Sequence, residues 1–482
     1  MLRVAHVLGL LQVVFSFSYL MPIAWSLAVG DGSVMDFVEA MATGLCGGLA
    51  LAVATRRYKG ELRPRDGFLL VSLSWMLMAA IATQPLLLND PDMSFTDAFF
   101  ETMSGLTTTG ATVMTGLDNL PPSINLWRHE LNWLGGMGII VLAVAILPLL
   151  GVGGMQLYKA ETPGPMKDSK LTARIADTAK ALWLVYFGIT VACILSLKWA
   201  GMNWLDAVCH AFAAMGLGGF STHDSSVSFF DSPAIEAVLI VFMMLAGMNF
   251  ATHFVAFRNR SLRAYLADPE AKAFVVLIVV SCLGIALYLR LQGTYDNFLT
   301  ALRHASFNLV SIATDCGFMS VDYDKWPIFA PLWMLFLSCI AVSSGSTGGG
   351  IKMVRTLILA KQAKRELVKL VHPAVVTPLR MGGGVIPDTI AQAVLGFTFL
   401  YFNSIVLLSF VLMASGLDFV SSFTAIIACI NNAGPGLNVV GPAQNFQGLS
   451  DFQTWVCSFT MLLGRLEVMS LAVLFTTEFW RH

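Results

Sequence analysis

The chain has 482 residues, of which 56% are hydrophobic and 12% charged, with a net charge of -1 and a mean hydropathy of +0.72. A soluble globular domain carries about 25% charged residues, so this composition excludes a water-soluble enzyme or binding module and indicates an integral membrane protein. The near-neutral charge gives no hint of nucleic acid, and the eight cysteines form neither a CxxC nor a Cys/His cluster, which argues against a zinc site; most lie in apolar runs and read as small buried hydrophobes.

A membrane-spanning helix needs about 20 apolar residues. In chain order the apolar runs cover residues 8–30, 34–55, 67–89, 127–157, 181–201, 234–257, 271–291, 327–351, 388–415 and 452–478, which predicts ten crossings. The first run is too long for a signal-peptide core and lacks a small-residue cleavage site, so it reads as a retained helix. Basic residues cluster in alternate loops: Arg56, Arg57, Lys59, Arg63 and Arg65; then Lys159, Lys167, Lys170, Arg174 and Lys180; then Arg258, Arg260 and Arg263; then Arg355, Lys361, Lys364, Arg365, Lys369 and Arg380. The opposite loops carry Asp90, Asp92, Asp224, Asp231, Asp322 and Asp324, with Lys198 and Lys325 against the trend. The positive-inside rule makes the basic loops and both termini cytoplasmic.

Four segments, 95–106, 205–215, 298–313 and 418–430, lie between an outward and an inward span and are too short to cross. Each is followed by a glycine-centred string: Thr107-Thr108-Thr109-Gly110-Ala111, Gly216-Leu217-Gly218-Gly219-Phe220, Thr314-Asp315-Cys316-Gly317-Phe318 and Asn431-Asn432-Ala433-Gly434-Pro435. The spacing between the central glycines is that of a repeating unit, not of a turn motif. Non-helical backbone at membrane depth is tolerated only where it lines a water-filled path. The expected fold is an all-α polytopic membrane protein: a two-helix leading segment (1–66) and four helix–pore-loop–helix repeats (67–158, 159–258, 259–381 and 382–482) around a pseudo-four-fold pore. A dehydrated cation must receive oxygens from the protein, and backbone carbonyls supply them without fixed charge. Glycine allows the positive φ and close approach that such a strand requires. The candidate filter residues are Thr108, Thr109 and Gly110; Leu217, Gly218 and Gly219; Asp315, Cys316 and Gly317; and Asn432, Ala433 and Gly434.

Together with Trp127-Arg128, Trp133-Leu134-Gly135-Gly136-Met137-Gly138-Ile139, Gly345-Ser346-Thr347-Gly348-Gly349-Gly350-Ile351-Lys352 and the extension of the last loop to Gly436, these loops resemble the Trk/Ktr/HKT superfamily of potassium transport proteins, most closely its bacterial Trk-type membrane subunit. The resemblance runs from about residue 67 to the end, and the two leading helices also suit the Trk branch. It implies a potassium filter with one glycine per repeat, a homodimer with one pore per protomer, and a cytoplasmic ring of nucleotide-binding regulatory subunits with RCK domains, in the lipid of a bacterial inner membrane. The cargo is the potassium ion, with no organic cofactor on this chain. Serine at the first glycine position is associated with sodium preference in the plant branch; here Gly110 favours potassium. Asp315 departs from the neutral residue expected there: its carboxylate either lends a negative field or, as the favoured reading, turns from the axis and is hydrogen-bonded behind the filter.

Residues 343–352 are rich in glycine and serine inside an apolar span, and Gly345, Gly348, Gly349 and Gly350 should break the helix. The Walker spacing of a phosphate loop is not met, because Ile351 precedes Lys352 and Met353 follows it. The expected gate is an intramembrane loop made by Gly345, Ser346, Thr347, Gly348 and Gly349, with Lys352 at the inner mouth; a plain flexible kink is the bland alternative. Charges within a span usually face a cavity or the bundle interior. The resemblance places Arg465 at the pore below the filter, against a structural ion pair with Glu101 or Glu130; Glu467 has no assigned role. Asn249 and His253 read as a buried interhelical hydrogen-bonding stripe, and Arg128, His129 and Glu130 as surface or loop-bracing residues. The function expected is potassium uptake through a gated pore. The alternative is a secondary transporter that couples potassium, or another monovalent cation, to protons or sodium, but its inverted broken helices do not appear as a matched pair. No HExxH or GxSxG motif suggests an enzyme.

Overall fold

Amide groups in lipid must be paired within their own segment, so long apolar runs close into helices. The computed structural model describes residues 2–58, 63–141, 175–382 and 384–481. Among these, six helices are long and apolar enough to cross a membrane: Leu2–Val29, Val34–Ala54, Arg65–Asn89, Lys180–Trp199, Pro269–Leu291 and Asp388–Ala414. Two bent pairs raise the number to eight if each is one span. The fourth expected span begins as the helix Pro122–Val141. Its expected continuation to residue 157 lies outside the described residues, as do Lys59, Lys159, Lys167, Lys170 and Arg174. The described strands are a two-residue hairpin, Arg380–Met381 against Gly384–Val385.

The four short segments fold as helices within two residues of their expected bounds: Phe95–Leu106, Trp204–Gly216, Phe298–Ala313 and Phe419–Asn431. Each starts on a side chain that accepts an otherwise unpaired amide hydrogen: Ser94 from Asp97, Asn203 from Asp206, Asn297 from Leu299 and Asp418 from Ser421.

Three expected spans are interrupted. Pro233–Ala246 and Phe250–Asn259 meet at 97°, because the Asn249 side chain caps the second piece by accepting the Ala251 amide at 2.8 Å. Asn249 is therefore a cap at a corner and not part of a continuous helical stripe with His253, whose ring meets the Tyr265 hydroxyl at 2.7 Å and the Leu245 carbonyl at 2.8 Å. Asp451–Arg465 and Val468–Phe475 meet at 112°, with Glu467 at φ +60° in the corner. In the third case helix stops at Ile340 and resumes at Met353, so the break exceeds the glycine run itself.

The leading helices pack through small residues. A Cβ on Gly9 would sit 2.8 Å from the Gly48 carbonyl oxygen, so the two backbones touch. The pair joins the remaining bundle through Tyr19, whose hydroxyl donates to the Ile81 carbonyl at 3.0 Å and whose ring lies 4.6 Å from that of Trp127.

Candidate functional site

All four short helices end in the same way. The residue after the last turn adopts a left-handed conformation: Thr108 at φ +55°, Leu217 at +56°, Asp315 at +66° and Asn432 at +57°. Its amide donates three residues back, to Gly105, Ala214, Ile312 and Cys429. The next amide, of Thr109, Gly218, Cys316 or Ala433, donates five residues back at 2.8 Å in every case. This double bond is the Schellman termination, which normally places glycine at the left-handed position. Threonine and leucine there cost about 1–2 kcal/mol each, a strain characteristic of functional sites.

The chain then reaches a glycine that is again left-handed: Gly110 at φ +77°, Gly219 at +64°, Gly317 at +90° and Gly434 at +83°. A Cβ on Gly110 would overlap the Gly218 carbonyl oxygen, and one on Gly219 that of Cys316. On Gly317 it would lie 2.6 Å from the Ala433 oxygen, and on Gly434 2.8 Å from that of Thr109. First loop touches second, second touches third, third touches fourth and fourth touches first. The four loops thus close a ring in which each glycine lies against the carbonyl oxygen preceding the next one.

Beyond the ring, on the side toward which the chain continues, a half-open pocket has the four glycines in its lining. Its walls are braced from one equivalent level of the short helices. Glu101, nine residues before Gly110, accepts from the Thr112 hydroxyl at 3.0 Å and the Val113 amide at 3.1 Å. His210, nine before Gly219, meets the Ser221 hydroxyl at 3.0 Å. Asn308, nine before Gly317, donates to the Ser320 hydroxyl at 3.0 Å and accepts its amide at 3.1 Å. In the fourth loop the Thr424 hydroxyl accepts the Leu437 amide at 2.9 Å. Glu101 also holds Arg128 at 2.7 Å in an ion pair whose side chains are 0% and 1% exposed. Arg128 reaches on to the Ser221 carbonyl at 3.3 Å and covers the Phe220 ring at 4.5 Å, so it ties the first loop to the second. Arg128, His129 and Glu130 are all buried, which overturns the surface half of the expectation for them and keeps loop-bracing for Arg128.

At the pocket rim His223 bridges Asp118 and, at 3.5 Å, Asp206. Burial alone would lower its pKa, but the hydrogen bonds to Asp206 and Asp118 outweigh it and raise the imidazole above its ordinary range. The hydrogen bond from His223 correspondingly holds Asp118 below the usual carboxylate range.

On the other side of the ring lies the segment from Ala341 to Lys352. It touches the residues that precede the ring, where the short helices end. The Thr347 hydroxyl donates to the Met215 carbonyl at 3.0 Å, at the second helix. A Cβ on Gly348 would meet the Thr314 carbonyl oxygen at 3.0 Å, at the third, and one on Gly349 would overlap that of Asn431, at the fourth. Arg465 completes the circuit by donating to the Thr347 and Gly135 carbonyls, each at 2.8 Å, and Gly135 itself abuts the Leu106 carbonyl of the first helix. The segment is anchored at its start by Glu270, which accepts the Ser344 amide at 2.8 Å and hydroxyl at 2.7 Å. Lys352 donates to the Gly348 carbonyl.

The structure therefore brings the twelve ring candidates together and sets Gly345–Gly349, Lys352 and Arg465 against them on one side. Among the described residues Arg465 donates to backbone carbonyls, and Glu101 belongs to Arg128, so the alternative pairing of Arg465 with Glu101 does not occur. Glu467 pairs with Arg355 at 2.9 Å. Asp315 is hydrogen-bonded, but its partner is the Gly349 amide at 3.0 Å, so the carboxylate faces the 341–352 segment and not the wall behind the ring. Sequence reasoning passed over Glu270 and Asn308, and gave Glu101 only as an alternative ion-pair partner of Arg465. A polar residue nine before the glycine in the first three repeats, Glu101, His210 and Asn308, was the signal available.

A family model described as a cation transport protein, TrkH, matches residues 33–481. The Trk system potassium uptake protein TrkH of Salmonella typhimurium is 45% identical, covering 99% of both chains. The Trk system potassium uptake protein TrkG of Escherichia coli is 37% identical, covering 99% of this chain and 98% of its own. The crystal structure of the potassium transporter TrkH from Vibrio parahaemolyticus superposes with a TM-score of 0.91 at 42% identity, covering 100% of this chain and 99% of the other. The backbone ring, the segment across one side of it and these similarities agree: the chain belongs to the TrkH family of cation transport proteins.

Proposed function

We propose that this polytopic membrane protein, a transporter and not an enzyme, takes up potassium across a bacterial inner membrane. The observation that carries the reading is the closed ring in which Gly110, Gly219, Gly317 and Gly434 each abut the carbonyl oxygen before the next glycine. Only backbone without side chains can approach so closely, and the approach lines an axis with uncharged oxygens that replace the water an ion sheds. The four short helices end at the ring, so the negative ends of their dipoles favour a cation there. Potassium enters from the pocket side, loses water at the carbonyls of Thr108 to Gly110 and their counterparts, and meets the 341–352 segment on the far side. That segment closes the path while Thr347, Gly348 and Gly349 contact the helix ends, and moving it opens the path. Nucleotide-binding regulatory subunits docked on the basic cytoplasmic loops would move it, in a homodimer with both termini cytoplasmic.

The test is radiolabelled rubidium uptake into proteoliposomes, with potassium or sodium competing, for wild type and Gly110→Ser. The reading expects potassium to compete far better than sodium, and the substitution to erode that preference. Uptake indifferent to Gly110, or strictly stoichiometric with sodium or protons, would replace it by coupled carriage.

A further inference from the structure

The left-handed residue two before each ring glycine is threonine, leucine, aspartate or asparagine, and only Asp315 is ionisable. Its carboxylate is 0% exposed. One oxygen accepts the Gly349 amide at 3.0 Å; the other, Oδ1, has no hydrogen-bond partner among the described residues. The equivalent oxygens of two other repeats, Thr108 Oγ1 and Asn432 Oδ1, are likewise buried and without partners. The Asn432 amide is oriented by its contacts: Nδ2 donates to the Met461 carbonyl at 2.9 Å and the Cys429 carbonyl at 3.3 Å, so the orphan atom is the oxygen. Three unsatisfied oxygens therefore belong to equivalent residues of the pseudo-four-fold arrangement, each two before a ring glycine. Buried oxygens normally have partners, and a repeated set of orphans is the signature of a site for something that brings no oxygen of its own.

A buried carboxylate also needs a counter-charge. Lys352 and Arg465 lie within electrostatic range of Asp315. Arg465 is held on a helix by the Thr347 and Gly135 carbonyls, whereas Lys352 ends the loop segment and donates to the Gly348 carbonyl within it. If the segment leaves, the Gly349 amide and the Lys352 ammonium leave together, and Asp315 loses its donor and its nearest loop-borne cation in one step.

We propose that Asp315 is a latch with two occupants: with the segment in place it binds the Gly349 amide, and with the segment displaced it ligates the permeating monovalent cation, together with the oxygens of Thr108 and Asn432. The inference rests on the filter and gate reading above. Lys352 is then a tethered stand-in for the transported ion. External potassium and the segment compete for one carboxylate, so cation entry itself favours the open arrangement.

The experiment uses the full chain in proteoliposomes without regulatory subunits and reads rubidium uptake against rubidium concentration. Asp315→Asn keeps an oxygen for the Gly349 amide but removes the charge; the half-saturating concentration should rise about tenfold. Asp315→Thr, the residue of the first repeat, loses the charge and ends one bond short, so its hydroxyl does not reach the Gly349 amide; basal uptake should rise several-fold with the same raised half-saturation. Equal basal uptake in the two variants would overturn the latch, and unchanged half-saturation in both would overturn the cation site. Should either variant fail to assemble, Lys352→Met in detergent tests the same point. Rubidium should protect it against thermal unfolding at about one-tenth of the wild-type concentration, and an unchanged midpoint would overturn the competition. Loss of the Gly110→Ser effect would sink the filter reading itself; normal Gly110→Ser behaviour with silent Asp315 variants would sink only the latch.

Discussion

The ion pair between Glu101 and Arg128 is the most heavily engaged contact at the ring and sets a quantitative test. The Glu101 carboxylate accepts from Arg128 Nε at 2.8 Å and Nη2 at 2.7 Å, from the Thr112 hydroxyl at 3.0 Å and from the Val113 amide at 3.1 Å. Glu101→Leu would leave the guanidinium buried, with Asn125 Oδ1 at 3.2 Å, the Ser221 carbonyl at 3.3 Å and the Thr112 hydroxyl at 3.3 Å as neutral acceptors only. Removing one partner of a buried pair costs about 3–5 kcal/mol. Removing both, in Glu101→Leu with Arg128→Met, leaves mainly the Val113 amide unsatisfied, at about 1–3 kcal/mol. The double variant should therefore recover about 2 kcal/mol relative to the single one. Unfolding by sodium dodecyl sulfate in mixed micelles, followed by tryptophan fluorescence, measures both. A single-variant cost under about 1 kcal/mol, or a double variant equal to the sum of its parts, would refute the reasoning.

Three other expectations are open to direct measurement. Because the His223 pKa is raised and those of Asp118 and Asp206 are lowered, the rim contact is complete between the carboxylate value of 3.8 and the imidazole value of 6.5; its histidine share is lost as pH rises through the raised pKa, and its carboxylate share as pH falls through the lowered ones. Hydrogen-exchange protection of residues 116–119 and 221–226, taken relative to the intrinsic rate at each pH, should fall from pH 6 to pH 9 in wild type, and a His223→Gln protein should show no such step. Arg465→Gln loses charge-assisted bonds to two carbonyls at 2.8 Å, each worth about 1.5–3 kcal/mol; basal rubidium uptake should rise about tenfold or more, and unchanged uptake would remove Arg465 from the gate. Gly219→Ala would drive a Cβ into the Cys316 carbonyl at φ +64°, so a correctly assembled variant should lose potassium-over-sodium preference; retained preference would show that the ring tolerates widening.

The four short helices were legible because length and punctuation agree. Each apolar stretch falls short of a crossing, begins on Ser94, Asn203, Asn297 or Asp418, and ends before a glycine. The corners at residues 247–249 and 466–467 were not, because a hydropathy run averages over them: Gly247 and Met248 are as compatible with a membrane helix as their neighbours, and the turn depends on Asn249 meeting Gly345 nearly a hundred residues away. Leu217 shows a different limit. Nothing about leucine announces a left-handed conformation; it is imposed by the ring and the helix end together. The partners of Asp315, Glu467 and Glu101 were hidden for the same reason, since each lies on another element brought close only by the closed ring.

The bracing level shows what one chain gains by supplying all four walls. Nine residues before the glycine stand a carboxylate, an imidazole and an amide in the first three repeats, and in the fourth a hydroxyl ten before it does the corresponding task. Each satisfies a polar group two or three residues beyond the glycine, so the backbone is equivalent while the chemistry is not. A symmetric tetramer would have to repeat any change four times around the axis. Here the charged brace occurs once, at Glu101, where Arg128 can also fasten the second loop. The one carboxylate two before a ring glycine likewise occurs once, at Asp315, on the repeat whose following helix breaks into the 341–352 segment. Four carboxylates at that level would repel one another and would need four counter-charges in a low-dielectric interior. A single one can be balanced by a single lysine carried on a single moving segment. On the proposed reading, the divergence of the four loops is what allows an approximately four-fold pore to be closed from one side.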